Sequence, residues 1–398
     1  MQHARVRAYF DHAATSPMPE PVLRAYTGAL AELGNPASTH THGQAASERL
    51  ESARDRIARH LGTQRALVTL TGGGTESINL ALKGMYWSAK QTSPERNTLL
   101  VAAGEHHATI EAAEWLRDTQ GAKVHWLPID ARGVLTAETL GEAIDRVGPE
   151  RIAVVSFLWA NNEVGSIQPV AELTAVAHAR GVPVHVDAVA ALGQLPIDFD
   201  RLGADALSVS AHKIGGPVGV GALLLARNAR IEPLIHGGSQ QRARSGTQDV
   251  AGAVAFAAAL EVAYDDGFEE RIDRVRRLRD RIVEGVRARV TGAVLRGAWP
   301  ERLPGNAHFT FEGCQGDSLV YLLDEAGISA SVGSACQAGV AEVSHVLLAM
   351  GLDEHEAIGS LRFTLGFETS DAAVDALLDA LPQAVERARA AGLSSSRS

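Results

Sequence analysis

Between Arg65 and Arg227, short apolar runs recur, each followed by a loop of small or polar residues and then a helix-like stretch. The runs are ALVTL (66–70), TLLVAA (98–103), IAVVSFLWA (152–160), VPVHVDA (182–188), ADALSVSA (204–211) and VGVGALLLA (218–226). Strands buried on both faces read as unbroken apolar runs, and their alternation with helices marks a parallel α/β sheet. The first five runs open into loops that carry Thr75, His106, Asn162, Asp187 and Lys213. Ligands of open α/β sheets bind beyond the carboxyl ends of the strands, so these side chains are expected along one edge.

After Arg244 the texture changes. AGAVAFAAALEVAYDD and ERIDRVRRLRDRIVEGVRARV are helical by apolar spacing, the second with a solvated charged face. Strand-like NAHFTFEG, ISASVG and SLRFTLG then alternate with helix-like DSLVYLLDEAG, VSHVLLAMG and DAAVDALLDALPQAVERARA, which describes a small α+β domain. A chain of 398 residues accommodates one large and one small domain. The closing AAGLSSSRS has the composition of a disordered tail.

The formal net charge is -10, from 47 acidic and 37 basic side chains, which gives no attraction to phosphate backbones or anionic lipid. No nucleic-acid or membrane partner is expected. The N-terminus has no apolar run of signal-peptide length, and no stretch approaches the roughly 20 apolar residues of a membrane span; a cytoplasmic location is expected. Cys314 and Cys336 are too few for a disulfide framework, and no Cys or His spacing reads as a metal site. Among the basic residues only Lys83, Lys90, Lys123 and Lys213 are lysine. Arginine supplies the generic surface charge and cannot form a Schiff base, so a retained lysine points to amine chemistry.

Three segments carry that chemistry. In TLTGGGTESINLALKG (69–84) three glycines precede Thr75 at a helix start, where free N–H groups and the positive dipole end suit a phosphate; alone, the segment reads equally as a tight turn with an N-cap. Asp187 ends an apolar strand, where a carboxylate is costly without a cation nearby, although it also suits the cap of the next helix. SVSAHKIGGPVGVGALLL (208–225) sets Ser210, His212 and Lys213 just past a strand. Cys336 lies among small residues in SVGSACQAGVAE, as a thiol that must reach two partners requires, whereas the apolar approach HFTFEGCQG places Cys314 in a core. His107 neighbours His106, but adjacent side chains on a strand point to opposite faces, so it is expected to be structural or one step removed from the site.

In this combination the chain resembles the NifS/IscS-type cysteine desulfurases, class V enzymes of the pyridoxal-phosphate (PLP) fold type I. The resemblance rests on YFDHAAT (9–15), GNPAS (34–38), GGTES (73–77), EHHA (105–108), ANNEVG (160–165), HVDA (185–188), SAHK (210–213), RSGT (244–247), GSAC (333–336) and SLRFTLG (360–366), in that order. It implies a mainly parallel seven-stranded sheet in a large PLP-binding domain at 15–255. It also implies a small domain from 1–14 and 256–390 that carries the cysteine loop, with 391–398 as the tail.

Position by position, the resemblance implies that Lys213 holds PLP through its amine, Asp187 pairs with the ring nitrogen and His106 stacks on the ring and shares the proton chemistry. Gly74, Thr75, Ser210 and His212 are implied as phosphate contacts, with Thr247 delivered from the neighbouring subunit of a homodimer. Asn162 falls near the ring hydroxyl and substrate, Asn35 near the substrate, and Arg362 clamps the carboxylate of L-cysteine. Cys336 accepts the sulfur as a persulfide and passes it to an acceptor protein, for iron–sulfur cluster assembly, tRNA thiolation or other sulfur biosynthesis, while L-alanine leaves. One departure stands out: Ala190 occupies the place where the family usually carries a Gln that bonds the ring oxygen. Two other readings share the fold. A selenocysteine lyase or aminotransferase of the same class is one, although transamination needs no mobile thiol; a weakly active sulfur-assembly scaffold, supported by Ala190 alone, is the other.

Overall fold

The computed structural model describes residues 7–333 and 343–395, with side chains as far as residue 391. Cys336 and the end of the expected tail, 396–398, lie outside the described residues. A short β1 (Ala8–Tyr9) is followed by β2 (Val68–Thr71), β3 (Thr98–Ala102), β4 (Lys123–Leu127), β5 (Ile152–Leu158), β6 (Val184–Asp187), β7 (Ala206–Ser210) and β8 (Gly221–Leu225). The second half contributes β9 (Ala293–Arg296), β10 (Asn306–Phe311), β11 (Ile328–Ser329) and β12 (Ser360–Thr364).

The large sheet has seven strands in the order β2-β8-β7-β6-β5-β3-β4. Strands β7, β6, β5, β3 and β4 are parallel, while β8 runs antiparallel to both β7 and β2. Because β8 reverses twice, β2 points the same way as β7, and its carboxyl end reaches the same edge as those of the parallel strands. The six apolar runs all become strands of this sheet, and β5 is buried along its whole length, as helices on both faces require. The seventh strand, β4, is a largely exposed edge.

One core lies within this sheet and its helices and continues into the helix Val250–Ala263 through Phe256, Ala257 and Leu260. The crossover expected at residue 255 falls inside that helix. A second core gathers Ala8 and Phe10 with residues from Val275 to Ala388 around the three-stranded antiparallel sheet β12-β10-β9. Strand β1 pairs in parallel with β11, which fastens the N-terminal segment to this second unit. The last helix, Asp371–Ser395, runs further than the composition of the tail suggests. Among the described residues, no helix is long and apolar enough to cross a membrane.

Candidate active site

At the carboxyl end of β2 the chain turns through Gly72–Gly74 into the helix Gly74–Thr92. Gly73 holds φ +127°, where an L side chain is strained, and a Cβ on Gly74 would stand 2.8 Å from Val189 Cγ2. The turn is locked from behind. Ser77 Oγ lies 2.7 Å from Thr71 Oγ1 and donates to the Gly73 carbonyl at 3.0 Å, and Glu76 Oε2 accepts from Gly72 N–H at 2.7 Å. The other Glu76 oxygen pairs with Arg244 Nε at 3.0 Å. The helix N-terminus is thereby held at the cavity that Gly74 and Thr75 line, where the first N–H groups of a helix suit an anion.

Strand β3 ends at Ala102, and His106 is the N-cap of the helix His107–Gln120: its Nδ1 accepts from Ala108 N–H at 3.1 Å. His106 is exposed to the cavity in this chain, yet the desolvation imposed by the protein packed around it, with the nearby Lys213, His107 and His345, lowers its pKa to about 4, so it is neutral with its proton on Nε2. His107 is not on a strand at all. Adjacent residues at a helix start need not face apart, and both histidines line the same cavity, which corrects the expectation for His107. His345 joins them, its ring 4.9 Å from that of His107 and its Nε2 donating to the Glu105 carbonyl at 2.8 Å.

Asp187 ends β6 almost wholly buried, with Oδ1 accepting from Val189 N–H at 2.9 Å. Burial pushes its carboxyl up to about 6 despite that bond and the attraction of Lys213. Ser210 ends β7, and His212 and Lys213 follow in the 3-10 turn Ala211–Ile214. Lys213 Nζ donates to the carbonyls of Ala13 and, at 3.2 Å, Ala14. Burial and then Arg362 lower the ammonium to about 8, while Asp187 and Asp11 act the other way. Arg362, buried on β12, donates through Nη1 to the Asn162 carbonyl at 3.0 Å and through Nη2 to Asp11 Oδ1 at 2.7 Å.

Gly74, Thr75, His106, Asn162, Asp187, Ser210, His212, Lys213 and Arg362 thus line one cavity of about 400 Å³, together with Ala190. Two expected site residues are elsewhere. Asn35 is exposed, with Oδ1 accepting from Ala37 N–H at 3.0 Å. Thr247 lines a separate cavity of about 140 Å³ beside Gly72, Gly219 and Arg244. Cys314 is buried, and burial raises its thiol pKa. Gly333, the last residue described before 334–342, and His345, two positions beyond Val343 where the description resumes, both line the large cavity. Sequence reasoning missed Asp11, His345 and the Ala13 and Ala14 carbonyls. Only Asp11 left a signal, as the one carboxylate in YFDHAAT.

The donor set fits PLP. A buried carboxylate short of a cation suits the ring nitrogen, an imidazole suits the ring face, and a partly neutral amine suits the aldehyde. The glycine turn with Ser210 and His212 forms a cradle for phosphate, which a Cβ at Gly74 would fill.

Residues 8–377 match the family described as Aminotransferase class-V. The chain is 52% identical over 388 residues to the IscS-like cysteine desulfurase of Mycobacterium tuberculosis, a match covering 97% of this chain and 98% of that protein. It is 40% identical to Cysteine desulfurase IscS 1 of Archaeoglobus fulgidus, over 96% of this chain and 97% of the relative. Among solved structures it resembles a NifS-like protein, with a TM-score of 0.87 and 34% identity over 96% of this chain and 100% of the other. It also resembles SspA in complex with cysteine, with a TM-score of 0.77 and 30% identity over 90% of this chain and 98% of that one.

Proposed function

The chain belongs to the class-V aminotransferase family, and on that premise we propose that it is a PLP-dependent cysteine desulfurase that converts L-cysteine to L-alanine and carries the sulfur on Cys336. The observation that carries the reading is the single cavity joining Lys213, Asp187 and Arg362 to both flanks of the Cys336 segment. Full-length similarity to named cysteine desulfurases, and to a solved relative that holds cysteine, supports the substrate.

When bound, PLP supplies an electron sink that acidifies the substrate Cα–H. Asp187 would pair its negative charge with the ring nitrogen, and His106 would lie against the ring. Gly74, Thr75, Ser210 and His212 hold the phosphate, and Asn162 borders the substrate. Arg362 takes the substrate carboxylate in its guanidinium fork. Lys213, lowered to a pKa of about 8, is neutral in roughly a tenth of molecules at pH 7 and moves the Cα proton. The Cys336 thiolate attacks the substrate sulfur; the new S–S bond forms as the Cβ–S bond breaks, and one proton delivered to Cβ and one returned to Cα complete L-alanine. The persulfide sulfur then passes to an acceptor protein. The enzyme works as a cytoplasmic homodimer in which Thr247 completes the partner's phosphate site, consistent with its position outside the cavity of its own chain.

Incubation with L-cysteine and a reductant tests this reading, with the expectation of alanine and sulfide in equal amounts and without any amino acceptor. Cys336→Ser should stop sulfide release, whereas Cys314→Ser should leave it nearly unchanged. Alanine formation that requires a 2-oxo acid, or a persulfide found on Cys314, would reject the assignment.

A further inference from the structure

The reactive amine and the guanidinium come from different cores, yet one short segment holds both. Residues 10–14 are laced onto the end of β12: Thr364 N–H donates to the Phe10 carbonyl at 2.7 Å, and Ala13 N–H donates to Thr364 Oγ1 at 2.9 Å. From this position the Ala13 and Ala14 carbonyls receive Lys213 Nζ, and Asp11 receives Arg362 Nη2. Arg362 Nη1 is taken by the Asn162 carbonyl, while its buried Nε has no partner among the described residues. The guanidinium is therefore held at both terminal nitrogens, each of which keeps a second N–H for an incoming carboxylate.

We propose that Asp11 is a positioning residue for substrate binding, which fixes the Arg362 fork so that it meets the α-carboxylate of an amino acid already oriented. This rests on the cysteine desulfurase reading for the identity of the substrate but not for its carboxylate. An arginine side chain loses much rotamer freedom when it binds, and a guanidinium ordered beforehand recovers part of that loss as affinity. The ion pair is poorly screened because Arg362 is 6% exposed and Asp11 22%. The alternative is that Asp11 competes with the substrate carboxylate for the same cation, and the two predict opposite signs.

The test is a double-mutant cycle in the PLP-loaded enzyme, using Asp11→Ala, Arg362→Ala and the double variant, with isosteric Asp11→Asn as a variant that keeps the shape. Two quantities are read: KM and kcat for L-cysteine, and the dissociation constant for L-alanine from the change in visible absorbance. Asp11→Ala should raise KM and the L-alanine constant roughly ten- to hundredfold with kcat changed less than about threefold, and Asp11→Asn should lie between it and wild type. In the Arg362→Ala background, Asp11→Ala should add almost nothing, because it acts through the arginine. Tighter binding by Asp11→Asn, or fully multiplicative effects in the double variant, would overturn the proposal. If the wild type formed no alanine from cysteine, the functional reading would fail while the L-alanine cycle still decided the role of Asp11.

Discussion

A carboxylate at the end of a buried strand makes stability depend on pH. Asp187 has an ordinary value of 3.8 and is raised to about 6 in the fold. The folded value lies above the unfolded one, so the cofactor-free protein loses stability as pH rises from about 4 to 6 and keeps that deficit above 6. Each pH unit between the two values is worth about 1.4 kcal/mol, which places the deficit at roughly 3 kcal/mol. Asp187→Asn retains an acceptor for Val189 N–H but carries no charge. In urea unfolding of the cofactor-free proteins, the Asn variant should be the more stable by up to that amount at pH 7, with the difference closing near pH 4. With PLP bound the ring cation partners the carboxylate, and the ranking should reverse. A gap that widened toward acid would mean that the carboxylate is already paired. Asp187 and Lys213 were legible in the sequence because each breaks a local trend: a charge ends an apolar strand, and a lysine stands in an arginine-rich chain. Asp11 left only its place as the one carboxylate in YFDHAAT, and His345 left no signal, since their importance lies in contacts to Arg362 and Glu105, hundreds of residues away in the chain.

Strands were legible where burial on both faces writes an apolar run. β4 was not, because an edge strand with Lys123 and Trp126 exposed needs no such run, and β9 is hidden for the same reason. Strand direction is also invisible in composition: β8 reads like its parallel neighbours but runs against them. That reversal brings Gly221 against the cofactor turn. A Cβ there would lie 2.6 Å from the Val209 carbonyl oxygen and 2.7 Å from Gly73 Cα, both backbone atoms that cannot swing aside. Gly221→Ala should therefore cost about 1–3 kcal/mol by overpacking. It should also weaken PLP binding, because the displaced element is the phosphate turn. Gly28→Ala is the contrast, since nothing lies within 4 Å of the added carbon in the helix Glu20–Leu30. It should gain roughly 0.5–1 kcal/mol from helix propensity and leave PLP affinity alone. Thermal unfolding and PLP titration of the two variants separate the effects.

At the scale of the molecule, the site depends on elements that the linear pattern keeps apart: Lys213 from the first core, Arg362 from the second and the N-terminal segment that touches both. Thr247 extends the argument beyond one chain. Its segment is tied down by the Arg244–Glu76 ion pair and lines a cavity beside Gly219, next to Val218, which is 81% exposed. If Thr247 serves the partner's site, Thr247→Ala homodimers should lose one hydrogen bond to a charged group, about 1.5–3 kcal/mol, and bind PLP roughly ten- to hundredfold more weakly. Lys213→Ala homodimers should be inactive. In a mixed dimer, the subunit carrying Thr247→Ala keeps its own Lys213 and receives an intact Thr247 from the Lys213→Ala subunit, so that site is complete. Unfolding the two variants together and refolding them should therefore yield hybrid dimers in which one site binds PLP with wild-type affinity and forms alanine at PLP concentrations too low for either parent. Hybrids, isolated by distinct affinity tags, that show only the average of the parents would place Thr247 in the service of its own chain.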